Sequence, residues 1–178
     1  TTTQTEGWWR QAFDLIGVPF DYISTQDVVK NGNLNQKWDV IVFGPGPAGR
    51  GIIDGMPMWR NPLPWKNTPE TPNIPTWAQT DDMRPGLGWS GFESLRSFVK
   101  NGGVLITAAT TSEWAVQFGL TNGVTANNAA ARSVVGTYLR SRIVDETSPL
   151  AYGMQDNLAL YSDDGGSFSV SSGGGGQI

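Results

Sequence analysis

Apolar positions along the chain follow a helical period in some stretches and run continuously in others. In EGWWRQAFDLIG (6–17), Trp9, Ala12, Phe13 and Ile16 recur at i, i+3, i+4 and i+7, which predicts an amphipathic helix over 6–16. Gly17 and Pro19 end it, one by its conformational freedom and the other by lacking an N–H. FDYIS (20–24) reads as a short strand, 27–37 as a helical or turn connection, and 39–43 as a continuous apolar strand. A second amphipathic helix is predicted over 89–101, with Phe92, Leu95, Phe98 and Val99 inward and Gly102–Gly103 as its stop. Residues 104–108 form another buried strand, and Ser112 is expected to cap a helix to 118 with Glu113 in its first turn. Beyond a Gly/Asn/Ala-rich loop (121–131), strands are expected at 134–144, 157–163 and 167–170. This order predicts one α/β domain over 1–170, with three layers and a mainly parallel sheet that includes 20–24, 39–43 and 104–108. Residues 171–178, SSGGGGQI, read as a flexible Gly/Ser tail.

Residues 44–88 break both periods. Nine of the eleven prolines lie there, together with Trp59, Trp65 and Trp77. A stretch this long without regular structure is expected to be a packed or functional excursion.

The excursion begins with Gly44, Gly46 and Gly49, whose spacing matches G-x-G-x-x-G after a strand. Dinucleotide binding needs backbone N–H groups aimed at a pyrophosphate, and Pro45 and Pro47 have none to offer. Gly55 and Pro57 cut short the helix that should follow, and PWKNTPETP supplies no strand-ending acid for a ribose. The loop is therefore read as a tight strand exit, and no cofactor is expected.

The chain has 178 residues, a net charge of −4, and neither Cys nor His. Disulfides, thiolate chemistry, Cys/His zinc sites and histidine-dependent triads are thereby excluded, leaving carboxylates, Ser/Thr, Lys, Arg and Tyr for any catalysis. No basic run points to nucleic acid, and no stretch approaches the roughly 20 apolar residues of a membrane span. TTTQT at the start has none of the features of a signal peptide, which is compatible with a mature piece of a secreted precursor.

GGVLITAATTSEW (102–114) has the strand–turn–helix shape that carries a nucleophile elbow, with Ala108, Ala109, Thr110 and Thr111 in the turn. A threonine nucleophile needs a base, and no histidine is present to act as one. Adjacent acids occur at Asp81–Asp82 and Asp163–Asp164 in polar loops, where solvation is the ordinary role. Of the eight tryptophans, Trp8, Trp9, Trp38 and Trp114 are expected in the core. Trp59, Trp65, Trp77 and Trp89 lie in or beside the excursion, where indoles either pin a loop or offer faces to a sugar ring or peptide.

EGWWRQAFDLIGVPFDYIS, KWDVIVFGP, GWSGFESLRSFVKNGGVLITAATTSEWAVQFGL and RSRIVDETSPLAYGM with NLALYSDDGGSFSV resemble an accessory domain of bacterial M14-family zinc carboxypeptidases. That domain is class I glutamine-amidotransferase-like, or flavodoxin-like, and lies downstream of the peptidase. DETSPLAYGM (145–154) is the most specific segment; the resemblance runs in order through most of 6–170, without the family's His near Pro149. It implies a secreted bacterial parent, extracellular or periplasmic. The peptidase metal site and the amidotransferase Cys–His pair both need residues this chain lacks, so catalytic residues and metal ligands are expected to be absent.

The leading expectation is a non-catalytic structural or interaction module of a zinc carboxypeptidase-like protein, partnered by a peptidase domain or by copies of itself. Two alternatives stand beside it: a carbohydrate- or peptidoglycan-binding module using Trp59, Trp65, Trp77 and Trp89, and a hydrolase working with carboxylates alone. In the resembling family an apolar strand precedes the segment matching TTTQTEGWW. Its loss would leave a sheet with unpaired backbone. Substitution by TTTQT, a different strand order, or a strand from another subunit would repair it. The last repair predicts a processed fragment acting as a homo-oligomer, with an extracellular filament as its open form.

Overall fold

A computed structural model describes residues 3–127, 136–162 and 167–171, which fall into two compact units, one up to Asn122 and one from Gly123. The tail at 172–178, Asp163–Asp164, and residues 128–135 of the predicted loop and strand lie outside the described residues.

In the first unit, α1 spans Thr3–Ile16, α2 Thr25–Lys30, β1 Val40–Phe43, α3 Gly51–Asp54, α4 Gly88–Lys100, β2 Val104–Thr107 and α5 Thr110–Gln117. Helix α1 ends where expected. Gly17 takes φ 70°, its N–H bonds Asp14 O at 3.3 Å, and the N–H of Val18 bonds Phe13 O at 3.0 Å. Thr3–Thr5 open this helix, so they do not replace a strand. Helix α4 buries Phe92, Leu95 and Phe98 and stops where the N–H of Gly103 bonds Phe98 O at 2.9 Å.

The core gathers Phe92, Leu95 and Phe98 with Leu34, Ile41, Ile52, Ile53, Leu87 and Trp114. Each large apolar side chain removed from water contributes about 1.5–3 kcal/mol. Trp114 is fully buried and meets the rings of Phe43, Phe92 and Phe118 at centroid distances of 5.6, 5.9 and 5.8 Å. Trp9 and Trp38 are half-buried, whereas Trp8 is exposed, contrary to the expectation of a core position. Ile16, expected on the inner face of α1, is exposed as well.

The three-layer, mainly parallel, flavodoxin-like sheet is not what forms. Among the described residues only β1 and β2 pair in parallel, with Val40 opposite Val104 and Phe43 opposite Thr107. Residues 20–24 make no ladder, and Phe20 and Tyr22 pack their rings against Phe13 and Trp77. A parallel sheet between two helical layers is apolar on both faces. Here Ile41 is buried on one face, while Val40, Val42, Val104 and Ile106 remain exposed on the other.

The excursion is closed at a neck. The N–H of Met56 bonds Arg84 O at 2.8 Å, and the N–H of Leu87 bonds Ile52 O at 2.8 Å. Gly55 (φ 70°) and Gly86 meet there so closely that a Cβ on Gly86 would lie 2.5 Å from Ile53 O and 2.7 Å from Ile52 O. Farther out, Trp65 and Thr80 exchange two backbone hydrogen bonds of 2.9 Å. Arg84 is chelated by Asp82, with Nη2 donating to Oδ2 at 2.7 Å, and its Nη1 donates to the carbonyls of Trp59 and Arg60 at 3.1 and 2.7 Å. These bonds supply the order that helices and strands do not provide.

The second unit holds β3 (Val124–Asn127), β4 (Thr137–Arg140), β5 (Ala159–Ser162) and β6 (Ser167–Val170). They form two antiparallel pairs, β3 with β6 and β4 with β5, and Tyr138 faces Tyr161 across the second at 5.5 Å. Strand β3 falls where the sequence was read as loop, since VTAN shows no apolar alternation.

Candidate functional site

Two places in the first unit carry ligand-facing or catalytic-looking geometry. One is the turn from β2 into α5. Ala109 there has φ 53° and ψ −121°, a conformation that side chains other than glycine avoid. That places Ala109 at the apex of a strand–turn–helix corner, the position from which an elbow would present a nucleophile. Neighbouring hydroxyls hold the corner in place. Thr111 Oγ1 donates to Phe43 O at 2.7 Å and accepts from the N–H of Ala108 at 3.0 Å. Thr110 Oγ1 donates to Gly46 O at 2.9 Å and accepts from the N–H of Gly46 at 3.2 Å. Both threonines are therefore committed to backbone, and Thr111 is fully buried. Helix α5 starts at Thr110, so Ser112 lies inside its first turn rather than capping it. The same contacts tie up the glycine loop after β1, whose helix α3 is only four residues long.

The second place is a groove of about 620 Å³ whose lining includes Arg10, Tyr22, Lys37, Trp38 and Trp77. Arg10 reaches it from α1, Tyr22 from the extended segment that follows Pro19, and Trp77 from a 3-10 turn (Thr76–Ala78) in the excursion. The rings of Tyr22 and Trp77 stand nearly perpendicular, 81° apart with centroids at 5.0 Å, and make a corner. The Arg10 guanidinium carbon sits in it, 4.5 Å from one centroid and 4.7 Å from the other. Arginine over aromatic faces is attracted to the ring quadrupole, by about 0.5–1 kcal/mol at exposed sites and more when desolvated. Arg10 Nε is buried without a hydrogen-bond partner, and among the described residues no carboxylate pairs with this side chain.

The groove's acids are engaged by the chain itself. Trp38 Nε1 donates to Asp21 Oδ2 at 2.8 Å. Asp27 Oδ2 accepts from the Ser24 hydroxyl at 2.6 Å and the Ser24 N–H at 2.9 Å, completing a capping box on α2. The hydroxyl bond is the main reason the Asp27 carboxyl is held below its ordinary pKa. Lys37 Nζ donates to Asn31 Oδ1 at 3.0 Å and lies 5.6 Å from the Trp38 ring centroid.

Of the four tryptophans proposed from the sequence as ligand-facing, Trp77 lines this groove and Trp59, Trp65 and Trp89 do not. Trp59, Trp65, Trp77 and Trp89 are 54, 44, 55 and 57 % exposed, so each shows part of an indole to solvent. Trp89 packs on Phe92 and Phe118 at the start of α4, away from the groove lining, and Trp59 and Trp65 make no ring contact among the described residues. Asp81 pairs with Lys66 and Asp82 with Arg84, so this adjacent pair diverges instead of forming an acid/base couple. Bonds from Arg84 hold the Asp82 carboxyl far below its ordinary pKa. Among the described residues no three acids gather into a metal-holding group. Arg10, Tyr22 and Lys37 were not singled out from sequence, and Trp38 was expected in the core. The available signal was the alternation of aromatic and charged residues at 20–22 and 37–38.

Protein-family models, curated proteins and solved structures yield no match to the chain.

Proposed function

We propose that the chain is a non-catalytic interaction module of a secreted, zinc carboxypeptidase-like protein, and that its ligand is a saccharide held in the groove between Tyr22, Trp38 and Trp77. Ala109 carries the non-catalytic half: the strained corner keeps the backbone of an elbow and sets a methyl group at its apex. The two flanking threonine hydroxyls are spent on backbone partners and offer no substitute. The groove supports the binding half, since partly exposed aromatic rings beside hydrogen-bonding side chains suit a sugar's apolar ring faces and hydroxyl rim. The resemblance supports a secreted parent, and a secreted module would meet its ligand outside the cytoplasm. Peptidase, amidase and glycosidase assays on the pure protein, with and without zinc, are expected to show no turnover. Turnover lost in a mutant of any carboxylate would establish the hydrolase instead.

Self-association is a second reading, favoured by the exposed face of β1–β2. Val40, Val42, Val104 and Ile106 form four adjacent β-branched positions in a parallel pair, an arrangement normally covered. A second copy laid on that face would bury it and build an oligomer or a filament. Light scattering at micromolar concentration is expected to show association that Val42→Lys abolishes; a monomer in both cases would remove this reading.

A further inference from the structure

We propose that the groove selects a saccharide bearing a carboxylate, and that Arg10 is the group that recognises it; this rests on the saccharide reading above. The observation is an imbalance between donors and acceptors. Asp21 and Asp27 already accept hydrogen bonds from Trp38 and Ser24. Arg10, by contrast, is positioned by two aromatic rings and not by an acid. A guanidinium carries five N–H donors in a planar fork that fits a carboxylate, and here none has a partner among the described residues. Nε is buried, so an incoming carboxylate would use the two terminal nitrogens of the fork, and Nε itself lacks a partner among the described residues.

Lys37 adds a second cation on the same lining, with one of its three donors used on Asn31. The parts of the Tyr22 and Trp77 rings that stay exposed beside Arg10, together with Trp38, would meet the sugar ring itself. A neutral saccharide would satisfy the rings and leave Arg10 unmatched. A uronate satisfies both. The chain's net charge of −4 means that any preference for an anion must come from this local arrangement rather than from the overall field.

The probes are tetragalacturonic acid and a glucuronate-containing tetrasaccharide, each compared with its own methyl ester, which keeps the rings and removes the charge. Titration calorimetry of the intact chain should give at least tenfold tighter binding of the acids than of the esters at low salt. That advantage should shrink as sodium chloride is raised, a readout that needs no variant. Arg10→Lys keeps the charge and loses the fork, and should weaken the acids at least fivefold more than it weakens the esters, with circular dichroism verifying the fold. Equal affinity for acid and ester, or an acid advantage untouched by both salt and Arg10→Lys, overturns this inference and leaves saccharide binding standing. Absence of binding by all four probes and by neutral gluco-oligosaccharides overturns the saccharide reading and this inference with it.

Discussion

Replacing Ala109 by glycine should stabilise the first unit, because alanine is the wrong residue for the backbone it occupies. At φ 53° and ψ −121° the methyl group crowds its own peptide neighbours, and such positions cost about 1–3 kcal/mol for a residue with a Cβ. Glycine removes that strain but gives the unfolded chain more freedom, which takes back about 0.4–1 kcal/mol. Burial adds little to either side, since Ala109 is exposed and its loss leaves no cavity. Its place flanking the first turn of α5 also suits glycine better than alanine. The net is a gain of about 1 kcal/mol, or about 2–4 °C in Tm for a chain of this size. Tryptophan fluorescence in a urea titration is the fitting assay, because all eight tryptophans lie between Trp8 and Trp114 and report the first unit alone. Ala109→Val should move the midpoint the opposite way. A glycine variant whose midpoint is unchanged or lower would refute the reasoning, and with it the view that this corner stores strain.

Gly86→Ala should destabilise the neck by about 3 kcal/mol, combining overpacking against the Ile52 and Ile53 carbonyls with loss of the hydrogen bonds beside them. Limited proteolysis should then cut within 56–84 well before the rest of the first unit; an uncleaved excursion would contradict this. Trp114→Ala should cost about 3–5 kcal/mol, but Trp114→Phe far less, because it removes a buried Nε1 that has no partner. Comparable losses in the two variants by denaturant titration would count against that orphan. Asp27 and Asp82 both have lowered carboxyl pKa values in the folded chain, so their contribution is present above the ordinary value of 3.8 and is lost as pH falls through the depressed values. Fluorescence-monitored stability should therefore be level near neutrality and drop on acidification. Ser24→Ala should cost about 1 kcal/mol near neutrality and blunt that drop, and an unchanged acid slope would exclude Asp27 from it.

Helices were the readable part of this chain. The 3.6-residue recurrence at Phe92, Leu95, Phe98 and Val99 and the glycines at 17 and 102–103 locate α1 and α4 to within a few residues. The sheet was less readable, because an apolar run such as VIVF looks the same whether one face or both are covered. Val40 and Val42 in fact face outward, so the run overstated the parallel sheet. Strand β3 carries VTAN, and its pairing with β6 is set by a partner far along the chain rather than by its own composition. The groove was hidden for the same reason. Arg10 gains its meaning only from Tyr22 and Trp77, which chain folding brings to it, and no local spacing announces that corner. The elbow was visible as a shape in sequence, but which of four turn residues stands at the apex is a backbone fact.

The neck between Gly55 and Gly86 also bears on how such a chain can change. The body of the first unit meets the excursion at two crossing backbones, and again where Trp77 packs on Tyr22 and Arg10 and where Gln26 bonds Thr80 and Asp82. Lengthening a closed loop is cheap, with each doubling costing only about 0.6 kcal/mol of closure entropy. Residues 57–83 should thus be exchangeable as a cassette wherever the contacts to Tyr22 and Gln26 are matched. Related chains can be expected to carry cassettes of different length and aromatic content between the same two glycines, and a grafted one should leave Trp114 and its neighbours undisturbed. Because Trp77 travels with the cassette while Arg10 and Tyr22 stay with the body, each exchange would recombine half of a binding surface with a constant other half.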